Sequence, residues 1–183
     1  MQINDGTGRG YSAGVGPNKR LDVSSRSNAR IYYASREGDA YSVMCLDAGP
    51  VAAEYTLWIK NNSEKNLIIQ DIYSWAVDAD VVWKLWQVTG TGATASAIVP
   101  VNMNISSAHI ASVTCLGGAG AVSGLTTVNT PIFHWYQGPA NTPFSFNTDD
   151  ALIIGPGQAV AIEYDAGTGG AAMLKLKMYF DPE

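Results

Sequence analysis

Formal charge is what this chain has least of. Asp, Glu, Lys and Arg make up 15% of its 183 residues, against roughly 25% in ordinary globular domains. The balance is −5, which excludes bulk binding to a nucleic-acid backbone. Cysteine and histidine are nearly as scarce. Cys45 and Cys115 stand 70 positions apart inside apolar runs and read as reduced, buried thiols rather than a disulfide framework. His109 and His134 are the only histidines, and neither has a Cys, His or carboxylate at ligand spacing, so no metal or other cofactor is expected. No apolar run approaches the roughly 18 residues that span a bilayer. The opening MQINDGTGRGY lacks the basic-then-apolar order of a secretory signal. No membrane partner and no export signal are expected.

Helical periodicity is also missing, since no window of a dozen residues carries a helical stripe. What is present is a period of two. In 172–180, Leu174, Leu176, Met178 and Phe180 alternate with Lys175, Lys177 and Tyr179, the pattern of a strand with one wet face. Val160, Ile162 and Tyr164 alternate with Ala161, Glu163 and Asp165, and Tyr55, Leu57 and Ile59 alternate with Thr56, Trp58 and Lys60. Further strands are expected over 20–23, 30–34, 41–46, 67–75, 81–88, 97–105, 110–115, 132–136 and 151–154. Turn signals separate them: Gly90-Thr91-Gly92, Gly117-Gly118, Gly138-Pro139, Gly155-Pro156-Gly157 and Gly167 to Gly170. Many short strands at this spacing predict one all-β domain, an antiparallel β-sandwich. A late strand entered through Gly-Pro-Gly and a closing hairpin favour a jelly roll over an immunoglobulin-like sandwich. No linker or composition break suggests a second domain.

Charge divides the chain more sharply than hydrophobicity does. Residues 1–36 carry six basic and two acidic residues, net +4, whereas the rest carries five basic and fourteen acidic, net −9. The first 36 residues are therefore expected to be a basic, Gly-rich extended arm with the first strands, attached to a body over 37–183. Residues 85–148 contain no formal charge. Interface cores are depleted in charge and enriched in aromatics. This stretch is accordingly expected to supply a self-association surface, with Phe133, His134, Trp135, Tyr136 and Phe144 as its anchors, and Trp86 beside them.

Other motifs carry little chemistry. Gly6-Thr7-Gly8-Arg9-Gly10 lacks the Gly-Lys-Ser/Thr ending and the strand-to-helix context of a phosphate loop. The run 116–124, LGGAGAVSG, fails the same test and reads as a loop tip. Asp78 with Asp80, and Asp149 with Asp150, lack the ordered oxygen ligands of a calcium loop and read as turn caps. No serine sits in a Gly-x-Ser-x-Gly elbow, and neither cysteine has an electropositive neighbour. A carboxylate pair drawn from Asp78, Glu163 or Asp165 is the one enzymatic arrangement that folding could assemble. No enzymatic activity is expected. Trp58, Trp75, Trp83, Trp86 and Trp135 have the chemistry to stack on sugars, but their apolar, alternating contexts favour packing.

The segment 5–23, DGTGRGYSAGVGPNKRLDV, resembles the opening of small virion proteins of tailed bacteriophages. Those carry an Asp-Gly-Thr-Gly stretch, a Gly-aromatic pair, an Ala-x-Val and an Asn-(Arg/Lys)-Leu-x-Val. The matching residues are Asp5, Gly6, Thr7, Gly8, Gly10, Tyr11, Ala13, Val15, Asn18, Arg20, Leu21 and Val23, with Lys19 and Arg20 at the basic position. Glu37-Gly38-Asp39-Ala40-Tyr41 and the hairpin 57–67 are similar to the next segments of such proteins. The likeness covers about the first 75 residues and only the style of the remainder. It implies a capsid decoration or cement protein, located on the virion, that docks on the major capsid protein or other virion proteins. Asp5, Arg9, Tyr11, Lys19 and Arg20 would make that docking contact. Such proteins sit as trimers or dimers at lattice symmetry points, which implies a homo-oligomer, a trimer foremost. The alternative is a tail or head-fibre component whose β-sandwich binds a host glycan.

Overall fold

The computed structural model describes residues 30–118, 120–165 and 169–181, with three short strands before them. Those strands, β1 (Gln2–Asn4), β2 (Ser12–Val15) and β3 (Leu21–Asp22), form a small antiparallel sheet of their own. The body then runs α1 (Arg30–Glu37), β4 (Ala40–Asp47), β5 (Glu54–Asn61), β6 (Leu67–Ala76) and β7 (Val81–Ala93). Four short strands come next: β8 (Ser96–Ile98), β9 (Val101–Asn102), β10 (Val113–Gly117) and β11 (Ser123–Thr127). The chain closes with β12 (Phe133–Gln137), β13 (Phe144–Ile154), β14 (Ala159–Asp165) and β15 (Ala172–Phe180). The fold is all-β and antiparallel, as the period-two pattern requires.

Two sheets curl around one core. The first has the order β11-β7-β14-β5-β10-β8, with β12 also paired to β7; the second has the order β13-β6-β15-β4-β9. The long pairings are nested: β4 with β15, β5 with β14, β6 with β13 and β7 with β12. Each pair encloses the next in sequence, and successive pairs alternate between the two sheets. Inner faces interlock through alternate residues such as Val43, Leu57, Ile72, Trp83, Ile162, Leu174 and Leu176, all at most 1% exposed. A second apolar cluster lies on the outer face of the first sheet. There Val122, Ala95 and Leu125, from the segment between β7 and β12, pack with Trp58, Val88 and Ala161.

Three local readings of the sequence are corrected. Residues 30–34, expected as a strand, open the helix α1. Ile31 and Ala34, three apart on one helical face, pack on Ala40, Ile68 and Tyr179, and two apolar positions are too few to register as a stripe. Gly38 ends the helix in the left-handed conformation (φ 82°). Its N–H donates to Ser35 O at 3.1 Å and the Asp39 N–H to Ala34 O at 2.7 Å, the paired bonds of a Schellman cap. The Glu-Gly-Asp-Ala-Tyr motif is thus a helix stop followed by the first long strand.

Gly90-Thr91-Gly92, expected as a turn, lies inside β7. Gly90 has φ 100°, and a Cβ there would sit 2.3 Å from Gly124 O. Beside it the β7–β11 register shifts between Ser123 and Leu125, so the glycine serves a bulge instead. The strand expected over 97–105 is broken at Pro100, which has no N–H to donate. It then dissolves into side-chain turns, Asn102 Oδ1 accepting from Asn104 N at 2.8 Å and Asn104 Oδ1 from Ser106 N at 3.1 Å.

Candidate functional site

Of the residues singled out for docking, Asp5, Arg9, Tyr11, Lys19 and Arg20 lie outside the described residues. Of those singled out for self-association, Trp86 lies half-buried on the interior strand β7, and the rest fall on two edge strands. Phe133, His134, Trp135 and Tyr136 all belong to β12, and strand alternation divides them. Trp135 is 6% exposed and Phe133 packs against the core, while His134 is exposed and Tyr136 is 55% exposed on the outer face. Trp135 therefore leaves the set of surface anchors. It stacks on Trp83, with centroids 6.2 Å apart and planes within 10°, and its Nε1–H donates to Ser74 Oγ at 2.9 Å. On the outer face, the Tyr136 hydroxyl donates to Asp80 Oδ1.

Phe144 opens β13, the edge of the other sheet. Two positions on along the same strand lies Phe146, at 5.8 Å, and Phe146 in turn meets Phe133 at 5.1 Å and Trp135 at 5.4 Å across the two sheets. Phe146 was not singled out in the sequence, although its Phe-x-Phe spacing with Phe144 is a strand signal. Together these rings close the core at the seam between β12 and β13, but not completely. A cleft of about 290 Å³ remains, lined by Ile132, Phe133, Phe146, Thr148, Ala151 and Leu152. Among the described residues no charged side chain lines it, and its first four residues come from the charge-free stretch 85–148. Within that lining Ile132 is 48% exposed. An ion placed here would lose hydration with nothing to replace it once another surface covered the cleft.

The β13 edge is bent beside this cleft. Asp149 and Asp150 both have positive φ, 51° and 60°, where the register shifts between Asn147 and Leu152. Asn147 Oδ1 holds the turn by accepting from Asp149 N at 2.6 Å. Asn and Asp tolerate this region better than other side chains, and a bulge on an edge strand blocks indiscriminate strand addition.

The outer face of the first sheet presents the main ionic cluster. Lys84 Nζ sits 3.2 Å from Glu163 Oε1 and 2.7 Å from Asp165 Oδ2. The Asp165 hydrogen bond, foremost, raises the Lys84 pKa. One ammonium thus occupies both carboxylates that folding brings together. Asp78 is elsewhere, accepting from the Tyr164 hydroxyl at 2.5 Å and from Gly170 N at 2.7 Å. Burial, and then that Asp78 bond, push the Tyr164 phenol well up.

Both cysteines are free and buried. Burial raises Cys45 to about 11 and Cys115 to about 12, so neither is a ready nucleophile. His109 Nδ1 lies 3.3 Å from Asp39 Oδ1. Among the described residues, no group of three His, Cys, Asp or Glu could hold a metal. Among the same residues, no helix is long and apolar enough to cross a membrane. Of the tryptophans, Trp58, Trp83 and Trp135 are buried, and Trp75 and Trp86 are half-buried. Comparison with family models, with curated proteins and with solved structures finds no match to this chain.

Proposed function

We propose that this chain is a virion structural protein of a tailed bacteriophage, a capsid decoration (cement) protein that docks on the head shell and stabilises it. The geometric observation that carries this reading is the uncharged aromatic cleft at the seam of β12 and β13. Its lining suits a dry contact with another protein surface, and it draws on the one long stretch from which charge is absent. The phage-like segment 5–23 and the net +4 of residues 1–36 support a Gly-rich arm that reaches an acidic shell. The nested pairing of β4–β15, β5–β14, β6–β13 and β7–β12 supports a jelly roll, in which one long antiparallel ribbon winds into two sheets.

In this reading the protein works without catalysis. Arms dock on the major capsid protein, seams join copies into a homo-oligomer, and many weak contacts add by avidity. Cryo-electron microscopy of purified particles tests it. The expected result is density for this roll on the outer head surface at regular lattice positions. Density on the tail alone, or absence from particles, overturns it. A second reading, a tail or head-fibre component that binds host glycan, is favoured by a polar-aromatic groove on the second sheet.

A further inference from the structure

That groove lies on the outer face of the second sheet. The inward residues Val43, Ile72, Leu174 and Leu176 are buried, so their neighbours in sequence face outward. Registers align these neighbours in rows across four strands. Ser145, Tyr73, Lys175 and Met44 form one row, and Asn147, Asp71, Lys177 and Ser42 the next. Among the described residues, helix α1 packs on the sheet near Ile68, Ala40 and Tyr179, away from these rows. The groove's volume is about 670 Å³, within the 300–1,000 Å³ range of small-ligand sites.

Its polar groups are held in place. Asp71 accepts from Asn147 Nδ2 at 2.9 Å through Oδ1 and from Lys177 Nζ at 3.0 Å through Oδ2. Lys175, exposed between Tyr73 and Met44 in its row, has no ion-pair partner among the described residues. The two lysines outweigh Asp71, which makes the groove locally positive on a body, 37–183, that carries net −9. An anionic ligand fits that charge.

We propose that this groove binds a carboxylated saccharide. Neighbouring strands are about 4.8 Å apart and successive outward residues about 7 Å apart along a strand, the scale of one sugar ring and its substituents. The apolar face of a ring packs on Tyr73, with Met44 beyond it. Its carboxylate meets the Lys175 ammonium, and its hydroxyls exchange hydrogen bonds with the fixed Asp71–Asn147 pair. An acidic peptide fits less well. β6 and β15 are hydrogen-bonded to strands on both sides, so the floor has no free edge for a peptide backbone to join. The Asp71 carboxylate would also repel a run of acids. The assignment stands apart from the protein's place on a particle, because it is tested on the purified chain.

The test is a two-dimensional NMR titration of the full chain with sialyllactose, digalacturonic acid, neutral lactose and an oligoglutamate peptide. One or both acidic sugars should bind, with shifts centred on Tyr73, Lys175 and Asn147, and lactose should bind much more weakly. Lys175→Ala should weaken the acidic sugar roughly tenfold or more, the loss of one charge-assisted contact. Lys175→Arg should retain most of the affinity, and Tyr73→Ala should weaken binding with an unchanged circular dichroism spectrum. The proposal is overturned if lactose binds as well as the acidic sugars, if Lys175→Ala changes nothing, or if no acidic sugar binds at millimolar concentration. Tighter binding of oligoglutamate than of either acidic sugar would make this a peptide groove instead.

Discussion

The indole of Trp135 donates to the hydroxyl of Ser74 at 2.9 Å in a buried bond that ties an edge strand of one sheet to the second strand of the other. Ser74 is fully buried, so a phenyl ring in place of the indole would leave its hydroxyl without this partner. Stacking on Trp83 and contact with Phe146 hold the ring in place. The same strand turns Tyr136 outward.

Trp135→Phe should destabilise the fold by about 1–3 kcal/mol, the cost of leaving a buried polar group unsatisfied. Trp135→Ala should cost about 3–5 kcal/mol because a cavity is added. Tyr136→Phe, which loses only the exposed bond to Asp80, should stay within about 0.5 kcal/mol. Urea unfolding of the three variants checks the order. A Tyr136→Phe cost equal to that of Trp135→Phe would contradict the assigned faces.

Gly38 should resist substitution on two counts. Its φ of 82° disfavours any L side chain, at about 1–2 kcal/mol, and a Cβ would lie 2.1 Å from Ser107 Oγ. Gly38→Ala should therefore lower stability by more than the backbone cost alone. Adding Ser107→Gly should recover the steric part and leave the backbone part, a non-additivity that a double-mutant cycle measures.

Charge at the seam should separate association from folding. Phe144 and Ile132 are 36% and 48% exposed, so Phe144→Asp and Ile132→Asp should leave a folded chain by circular dichroism. Light scattering should show that these variants self-associate less than the unmodified protein. If the unmodified chain is monomeric at every concentration, the seam is not a self-association surface.

Alkaline stability should depend on the two thiols. Their folded pKa values, about 11 for Cys45 and about 12 for Cys115, stand above the ordinary 9.0. Above pH 9 the unfolded chain releases protons that the folded chain still holds, so stability falls as pH rises toward 11. Each thiol contributes a slope of roughly 1.4 kcal/mol per pH unit in that window. Unfolding free energies measured from pH 8 to pH 11 should fall less steeply in Cys45→Ala/Cys115→Ala. Identical slopes would mean that burial does not hold these protons.

Inward strand faces were legible from residues alone, but the outward ones were less wet than their alternation implies, since Tyr179, Ala161, Glu163, Thr56 and Trp58 are buried as well. The alternation of Leu174, Leu176 and Met178 with Lys175 and Lys177 recurs in β15 as inward and outward sides. Glycine was less legible, because one residue type serves a cap at Gly38 and a bulge at Gly90, and only the partner strand tells them apart. Helix α1 left no readable stripe because its packing face is only Ile31 and Ala34. The cleft was half legible: the missing charge over 85–148 marked the stretch, but not the meeting of Phe133 with Phe146.

The sequence by itself determined the all-β class, the reduced state expected of two isolated cysteines, and the pairing of Phe133 with Trp135 on one strand face. All three follow from local chemistry, since side-chain period and polarity are properties of neighbours along the chain. Only the tertiary structure decided which of the two faces of β12 is buried, how the pairings nest, and that Tyr73, Asp71, Asn147 and Lys175 share one groove. A strand's alternation is unchanged when its faces are exchanged. The choice between them is made by a second sheet whose residues, such as Ser74 beneath Trp135, lie 61 positions away.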